Sequence, residues 1–212
     1  MKLWREYRSF TLFLVLMVLF RGAFADWNTV PTGSMKPTII EGDRIWVNKL
    51  AYDLRVPLTH VSILSFADPQ RGDIVVFDSQ AADTRLVKRV IGLPGDVVEM
   101  KDNRLRINGI EARYSKVERK GDAIFSVESY AGMVHRIELA PARSSEYGTF
   151  GPVKVPQDQY LVLGNNRDNS ADSRVHGFVP RAEIVGVARS VVLSFDYDHF
   201  YLPRMDRFFH RL

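Results

Sequence analysis

The sequence predicts a mainly β protein with a single N-terminal transmembrane helix. Three observations support this prediction: short apolar or alternating runs recur along the chain, turn residues separate them, and one continuous apolar segment lies near the N-terminus. The runs that predict strands are Arg44–Val47, Asp73–Phe77, Arg85–Ile91, Val97–Met100, Arg104–Ile107, Gln159–Leu163 and Ile184–Leu193.

The first 25 residues predict a membrane anchor. Residues 1–8 contain three basic side chains, and residues 9–25 are almost wholly apolar apart from Arg21, which is placed to snorkel at the outer interface. Because a span needs about 20 apolar residues, all of 9–25 is required. The basic residues predict that 1–8 lie inside and 26–212 outside. The same features, with Ala-Phe-Ala at 23–25, also fit a cleavable signal peptide, and the pattern alone leaves both interpretations open.

Turn residues and charges predict local structure in the middle of the chain. Asn108-Gly109 lies between the alternating runs Arg104–Ile107 and Ile110–Arg113, which is a strong signal for a two-residue hairpin. The charge-rich stretch Glu111–Asp122 is predicted to lie at the surface.

The composition excludes some classes of site and partner. The chain of 212 residues has no cysteine, so disulfides and cysteine-based metal sites are excluded. Its net charge of +4 comes mainly from arginines spread along the chain, without a clustered basic stripe, so nucleic-acid binding is not predicted. A basic surface of this kind suits anionic lipid headgroups.

Ser34 is the candidate nucleophile. It lies in the turn-like run Pro31–Thr38, directly after Gly33. A serine hydroxyl is a poor nucleophile unless an adjacent group accepts its proton. None of the five histidines lies in a triad motif, and neither Gly-x-Ser-x-Gly nor Ser-x-x-Lys occurs. A lysine base from another segment is therefore considered.

Two lysines are candidates for the base. A free lysine has a pKa of about 10.4, but burial among apolar groups lowers that pKa by several units. Lys88 lies in the predicted strand 86–91, where alternation places it between Leu86 and Val90 on one face. Lys36 is closer to Ser34 in sequence, and the spacing alone leaves both candidates open.

Four segments occur in a characteristic order: Gly33–Thr38, Arg71–Phe77, Lys88–Asp96 and Gly164–Arg174. Together they resemble the type I signal peptidases, which are membrane-anchored Ser/Lys endopeptidases. A single Gly-Ser-Met would be a weak signal, whereas four ordered segments at compatible spacing are specific. The resemblance extends from the N-terminal segment to about residue 190.

The resemblance implies a role for each site residue. Ser34 corresponds to the nucleophile that forms an acyl-enzyme, and Lys88 corresponds to its general base. The Thr32 hydroxyl and the Ser34 backbone N–H correspond to the donors of the oxyanion hole. Ser170 corresponds to the hydroxyl that orients the lysine amine. The residues implied to support the site are Arg89, Asp172 and Arg174.

The resemblance also implies a substrate groove. Its implied lining residues are Val30, Met35, Ile39, Leu86 and Val87. Shallow apolar pockets there would favour small side chains at the first and third positions before the cut, as in Ala-x-Ala. The edge of Leu86–Val90 is predicted to pair with the substrate as an added strand. Any one of these residues taken alone is better explained by core packing.

Two positions depart from the family pattern. Asn165 occupies a position where aspartate is expected, so a carboxylate partner for a nearby arginine such as Arg89 is expected to be missing. His176 occupies a position where an aromatic residue, often tryptophan, is usual. Neither position corresponds to the nucleophile or the base.

The implied protein is a single-pass enzyme of the inner (cytoplasmic) membrane, with its N-terminus inside and a periplasmic, β-rich catalytic core. A small β subdomain is expected to be inserted over about residues 97–157. The expected activity is the removal of signal peptides from exported preproteins at Ala-x-Ala-like sites, without metal or cofactor. The lipid bilayer is an expected partner, and the sequence gives no indication of the oligomeric state.

Three alternatives stay open at this point. The first is a peptidase of the same chemistry that is dedicated to one conjugation or pilus client. The second is a self-cleaving Ser/Lys regulator of the phage-repressor type, although such proteins begin with a DNA-binding module and this chain begins with an apolar segment. The third is a non-catalytic, membrane-anchored binding module, although Ser34, Lys88 and Ser170 are all present.

Overall fold

The structure is mainly β, as the sequence predicts. It is a computed structural model that describes residues 7–14, 17, 25–56, 59, 61–140 and 147–212. The strands are β1 (Ala25–Thr29), β2 (Asp43–Asn48), β3 (Asp53–Arg55), β4 (Ser62–Ser65), β5 (Ile74–Ser79), β6 (Thr84–Gly92), β7 (Val97–Lys101), β8 (Arg104–Ile107), β9 (Ile110–Glu111), β10 (Arg113–Lys120), β11 (Ala123–Tyr130), β12 (Met133–Leu139), β13 (Phe150–Lys154), β14 (Gln159–Leu163), β15 (Val179–Pro180), β16 (Ile184–Asp196), β17 (Leu202–Pro203) and β18 (His210–Arg211). Short 3-10 helices are Gly33–Met35, Lys49–Ala51, Arg181–Glu183 and Met205–Arg207, and Ser173–His176 forms one α-helical turn.

One antiparallel sheet positions the other elements. The order of its strands is β1-β2-β16-β5-β6-β14-β15, and β17 and β18 also pair with β16. Strands β5 and β6 pair in a regular register, with Val75 opposite Lys88 and Ile74 opposite Arg89. All seven runs that predicted strands are strands in the structure, with ends that differ by only a few residues. Strands β3 and β4 form a separate two-stranded sheet.

The chain between β6 and β14 forms two further sheets. Strands β7, β8, β9 and β13 form one, and β10, β11 and β12 form the other. Asn108 and Gly109 connect β8 to β9 with φ angles of 51° and 79°, the positive values that a type I′ turn requires, so the predicted hairpin is confirmed. Strand β10 is exposed along most of its length, as its charges predicted.

Three clusters of buried apolar side chains form the core. The first joins Val98, Leu105 and Met133 of the two further sheets to Ile91 and Leu161 of the main sheet. The other two lie on opposite faces of the main sheet, because alternate residues of β5 belong to different clusters. The strands between β6 and β14 therefore share a core with the main sheet. That residues 97–157 form a separate subdomain stays a prediction.

The N-terminal residues 7–14 are helical and expose apolar side chains. Much of the predicted anchor at 9–25 lies outside the described residues, as do most of residues 1–8 and the first two residues of the Ala-Phe-Ala sequence at 23–25. Within the ranges given above, no helix is both long and apolar enough to cross a membrane.

Candidate active site

Ser34 lies in a buried turn at the end of β1. Its 3-10 helix, Gly33–Met35, begins after Thr32, whose backbone is extended (φ −130°, ψ 154°) and whose exposed hydroxyl caps no N–H of that helix. The Met35 side chain is 1% exposed and packs in the apolar cluster with Val30, so the turn is fixed to the core beside the nucleophile candidate. The Ser34 side chain is therefore presented by a rigid element instead of a mobile loop.

Lys88 and Ser34 are brought together although they are 54 residues apart in the chain. The Lys88 Nζ and Ser34 Oγ atoms are 2.6 Å apart, in hydrogen-bond contact. Lys88 is 3% exposed. Burial lowers the pKa of its amine to about 8, with the Asp172 carboxylate opposing this effect and the Arg174 charge adding to it. A buried amine with this pKa has a substantial neutral fraction near neutral pH, which a proton acceptor needs.

Lys36, the second candidate for the base, has a different partner. Its Nζ forms an ion pair with Glu41 Oε2 at 2.7 Å, and both side chains are partly exposed. The geometry therefore favours Lys88 over Lys36 as the partner of Ser34.

The loop after β14 fixes the backbone of the turn Gly33–Met35, which contains Ser34. Asn166 donates its backbone N–H to the Ser34 carbonyl at 3.0 Å, and its Nδ2 donates to the Gly33 carbonyl at 3.3 Å. Gly164 packs so closely that a Cβ atom there would lie 2.6 Å from the Ser34 carbonyl oxygen. Neither residue was assigned a role from the sequence, although both lie in the fourth segment that carries the family resemblance.

Asp172 and Arg174 form a buried ion pair that supports this loop. The Asp172 Oδ2 atom accepts hydrogen bonds from Arg174 Nη2 at 2.8 Å and from the Gly164 N–H at 2.9 Å. Arg174 also donates from Nη2 to the Arg167 carbonyl at 2.7 Å. Burial raises the pKa of Asp172, but the hydrogen bonds and charge of Arg174 and the Gly164 N–H outweigh it, so the pKa lies below its usual value. The pair thus connects the end of β14 to the loop that contacts Ser34.

Ser170 is close to this site but does not contact the lysine in the structure. Its Oγ atom is buried and makes no hydrogen bond to the Lys88 amine. It packs against Gly164, where an added Cβ would lie 2.2 Å from Oγ. The predicted role of Ser170 in orienting Lys88 stays a prediction.

Arg89 lies on β6 next to Lys88 and has an amide as its partner. Its Nε donates to Asn165 Oδ1 at 3.1 Å, and the Asn165 Nδ2 donates to Thr38 Oγ1 at 2.6 Å. The neutral Asn165 amide and Thr38 hydroxyl therefore link Arg89 to the segment that follows Gly33–Met35. His176, the other departure from the family pattern, is partly buried at the end of the short α-helical turn.

A buried charge network that the sequence analysis missed lies behind Arg89. Arg167 donates to both carboxylate oxygens of Glu128, at 2.6 and 2.9 Å, and neither side chain has any exposed surface. The Tyr114 hydroxyl donates to Glu128 Oε2 at 2.6 Å. Burial lowers the pKa of Arg167, but the Glu128 charge and hydrogen bonds outweigh it and hold the pKa above its usual value. The sequence signal for this network lies in β11, where the polar residues Ser126 and Glu128 occupy the buried positions of the strand.

The predicted groove residues separate into two groups. Val30, Met35 and Ile39 are at most 4% exposed and belong to one core cluster, so they offer almost no surface to a substrate. Leu86 and Val87 are half-buried on β6. Strand β14 pairs with β6 only at Arg89, Val90 and Gly92. The edge of Thr84–Lys88 opposite β5 therefore has no strand partner among the described residues.

Among the residues that the structure describes, no three His, Asp or Glu side chains lie close enough together to hold a metal ion.

Comparison with known proteins finds signal peptidases. A model of the family described as "Signal peptidase, peptidase S26" matches residues 3–193. A signal peptidase I of Pseudomonas fluorescens is 36% identical over 202 residues, which cover 88% of this chain and 71% of that protein. Signal peptidase I P of Bacillus subtilis subsp. natto is 38% identical over 186 residues, covering 86% and 85% of the two chains. A crystal structure of a signal peptidase I from Enterococcus faecalis V583 is 33% identical and covers 58% of this chain and 98% of its own, with a TM-score of 0.38.

Proposed function

This chain belongs to the signal peptidase I (peptidase S26) family and is a serine peptidase, and we propose that it removes N-terminal signal peptides from exported preproteins with a Ser34–Lys88 dyad. The observation that carries this proposal is the 2.6 Å contact between the buried Lys88 amine and the Ser34 hydroxyl. A hydroxyl and a partly neutral amine in hydrogen-bond contact are the two groups that a Ser/Lys mechanism requires.

The reaction proceeds in two steps. Neutral Lys88 accepts the Ser34 hydroxyl proton while Oγ attacks the scissile carbonyl carbon and forms a tetrahedral intermediate. The C–N bond then breaks, the leaving amine takes the proton from the Lys88 ammonium, and the signal peptide stays bound to Ser34 as an ester. In the second step Lys88 accepts a proton from water, the resulting hydroxide attacks the ester, and Ser34 regains its proton from Lys88.

The negative oxygen of the tetrahedral intermediate is stabilised by the Thr32 hydroxyl and the Ser34 backbone N–H. The position of Thr32 supports this role, because its hydroxyl is exposed and caps no N–H of the helix that presents Ser34. Losing one such donor typically lowers kcat by about 10²–10³-fold. Asp172, Arg174 and Arg89 support the site through the loop and strand contacts described above, and Ser170 orients the Lys88 amine during turnover.

The substrate binds as an added strand along the free edge of Thr84–Lys88. The absence of a strand partner on this edge, within the described ranges, supports the proposal, because its backbone groups are available for pairing. Val87 then lies next to the residues before the cut and packs against the buried cluster that contains Val30, Met35 and Ile39, while Leu86 packs against the cluster on the opposite face of the sheet. Shallow pockets of this kind select small side chains, as in Ala-x-Ala.

We also propose that residues 9–25 anchor the enzyme in the inner membrane, with the N-terminus inside and residues 26–212 in the periplasm. The apolar character of 9–25 and the basic residues before it support this orientation. A catalytic domain held at the bilayer meets its cleavage sites where preproteins emerge.

The test is cleavage of a radiolabelled Ala-x-Ala preprotein by the purified chain in detergent. Wild type is expected to cleave it, and Ser34→Ala and Lys88→Met are expected to lose cleavage. Lys36→Met is the matched control, since it removes a lysine amine that is paired with Glu41. Retained cleavage in Lys88→Met would show that Lys88 is not the base. A folded wild type that ignores this preprotein but cuts one conjugation or pilus protein would support the dedicated peptidase instead.

A further inference from the structure

A basic cleft lies where β6, β12 and the C-terminal strand β18 meet. Its volume is about 590 Å³. The basic side chains that line it are Arg71, Arg89, His135, Arg136, Arg207 and His210. No Asp or Glu side chain is among the described residues that line it. Such a lining favours an anionic occupant.

Arg89 is the cation of this cleft that lacks a counter-ion. It is 7% exposed, and its Nε and Nη1 donate to Asn165 Oδ1 and to the Gly72 carbonyl, at 3.1 and 2.7 Å. Both acceptors are neutral, and no Asp or Glu of the described chain forms an ion pair with it. Burial and the nearby Arg167 charge lower the pKa of Arg89 to about 10, against the smaller opposing effects of the Glu128 and Asp73 charges, so it stays charged at neutral pH. A buried charge without a counter-ion is costly, and a bound anion would offset that cost.

His135 supplies a second unsatisfied group at the same cleft. Its side chain is 3% exposed, and neither ring nitrogen has a hydrogen-bond partner in the described structure. Its Nε2 lies 3.3 Å from Glu128 Oε1 without forming a hydrogen bond to it. Burial, followed by the charges of Arg89 and Arg167, pushes the pKa of His135 well below its usual value, so the ring is neutral. A neutral imidazole has one N–H to donate to an anion.

The other three arginines at the cleft each have a carboxylate partner that does not line it. These pairs are Arg71–Asp96 at 2.8 Å, Arg136–Glu118 at 3.3 Å and Arg207–Asp43 at 2.6 Å. Among the arginines that line the cleft, Arg89 is therefore the one for which the described residues provide no carboxylate in ion-pair contact. Guanidinium groups bind phosphate oxygens in a bidentate manner, and groups on several walls suit a tetrahedral anion.

From these contacts we infer that the cleft binds a phosphate group, with Arg89 as its counter-ion and His135 as a neutral donor. The phosphate is either free inorganic phosphate or the phosphodiester of an anionic lipid headgroup. This binding is separate from the proposed peptidase reaction, because it needs neither Ser34 nor a peptide substrate.

Substitution of Asn165 by aspartate, which has nearly the same shape, is expected to remove the phosphate site. Its Oδ1 accepts from Arg89, and its Nδ2 donates to the Thr38 hydroxyl. In Asn165→Asp the second carboxylate oxygen accepts from Thr38, because the hydroxyl can turn to donate. The aspartate then gives Arg89 an internal counter-ion. The variant is expected to fold and to compete with any external anion.

The experiment is calorimetric titration of the full chain in detergent with sodium phosphate at pH 7.5, with ionic strength held constant by chloride. Wild type is expected to bind phosphate, and Asn165→Asp and Arg89→Gln are expected to bind at least about tenfold more weakly, the loss typical of a hydrogen bond to a charged group. Phosphate should raise the Tm of wild type but not of Asn165→Asp. Unchanged phosphate affinity in Asn165→Asp, or phosphate binding no tighter than chloride binding, would overturn the inference.

A matched pair of surface variants makes the test independent of whether Arg89→Gln folds. Arg136 and Arg106 are both about half exposed, and each is paired with a glutamate at 3.3 or 3.4 Å. Only Arg136 lines the cleft. Arg136→Gln should weaken phosphate binding, and Arg106→Gln should not; equal effects would overturn the inference.

Monomeric dihexanoyl phosphatidylglycerol then serves as a competitor, with the phosphatidylcholine analogue as control. If the phosphatidylglycerol analogue displaces phosphate and the phosphatidylcholine analogue does not, the cleft binds an anionic lipid headgroup. If neither displaces phosphate, the cleft binds free inorganic phosphate.

Discussion

The rate of peptide cleavage is expected to follow the titration of the Lys88 amine. Burial lowers the pKa of Lys88 from its usual 10.5 to about 8. In the proposed mechanism only the neutral amine accepts the Ser34 proton, so kcat/KM is expected to be proportional to the neutral fraction of Lys88. That fraction is about 1% at pH 6, about 10% at pH 7 and about 90% at pH 9. We therefore expect kcat/KM to rise about tenfold from pH 6 to 7 and to level off above about pH 9.

The assay is the initial rate of cleavage of a fluorogenic Ala-x-Ala peptide in detergent between pH 6 and 10, at constant ionic strength. A peptide without titratable side chains assigns the profile to the enzyme. Circular dichroism at each pH shows that the fold is intact across the range.

A flat profile between pH 6 and 9 would refute the reasoning, since no titrating lysine would then limit the rate. A midpoint near 10 would also refute it, because that value is typical of an exposed lysine. Lys36→Met is the control: its amine is paired with Glu41 and does not contact Ser34, so the midpoint should not move.

Three other results are expected. Lys88→Met should raise the free energy of unfolding by about 3 kcal/mol at pH 7, because the folded state disfavours the charged amine. Since the pKa is lower in the folded state, this gain should shrink as the pH rises from 8 to 10.5, and urea melts at pH 7 and 11 would measure it. Gly164→Ala should lose cleavage while it still melts cooperatively, because its Cβ meets the Ser34 carbonyl at 2.6 Å; normal turnover would contradict this. Glu128→Gln should lower stability by about 3–5 kcal/mol in urea melts, because Arg167 then keeps a buried charge without a counter-ion; a loss under about 1 kcal/mol would show that Arg167 finds another partner.

The sequence predicts those strands whose side chains alternate or are continuously apolar. Strands β5, β6 and β14 are of this kind, because they lie in a sheet with buried apolar clusters on both faces. Strand β10 does not show this pattern: it is polar and exposed, and only its pairing with β11 makes it a strand. Strand β4 was also missed: it is short, and its apolar residues Ile63 and Leu64 are both exposed, so its side chains do not alternate between a buried and an exposed face. Pairing between backbones leaves little trace in side-chain composition.

The candidate site was predictable only in part. Alternation placed Lys88 in an apolar strand, but the spacing could not choose between Lys88 and Lys36. That choice depends on Glu41, which pairs with Lys36 in the structure. The partner of Arg89 was also beyond sequence reasoning, because Asn165 binds Arg89 through an amide oxygen instead of a carboxylate. Each of these contacts joins residues whose proximity is decided by the three-dimensional fold.

The hydrogen bond from Asn166 to the Ser34 carbonyl has a consequence for biosynthesis. Ser34, Lys88 and Asn166 enter the growing chain in that order, and contacts between residues so far apart in sequence form late in folding. A nascent chain that has not yet released β14 and the loop after it contains both the serine and the lysine, but the backbone of Ser34 is not yet held. We therefore expect the nascent chain to be inactive until β14 and the loop after it have left the ribosome.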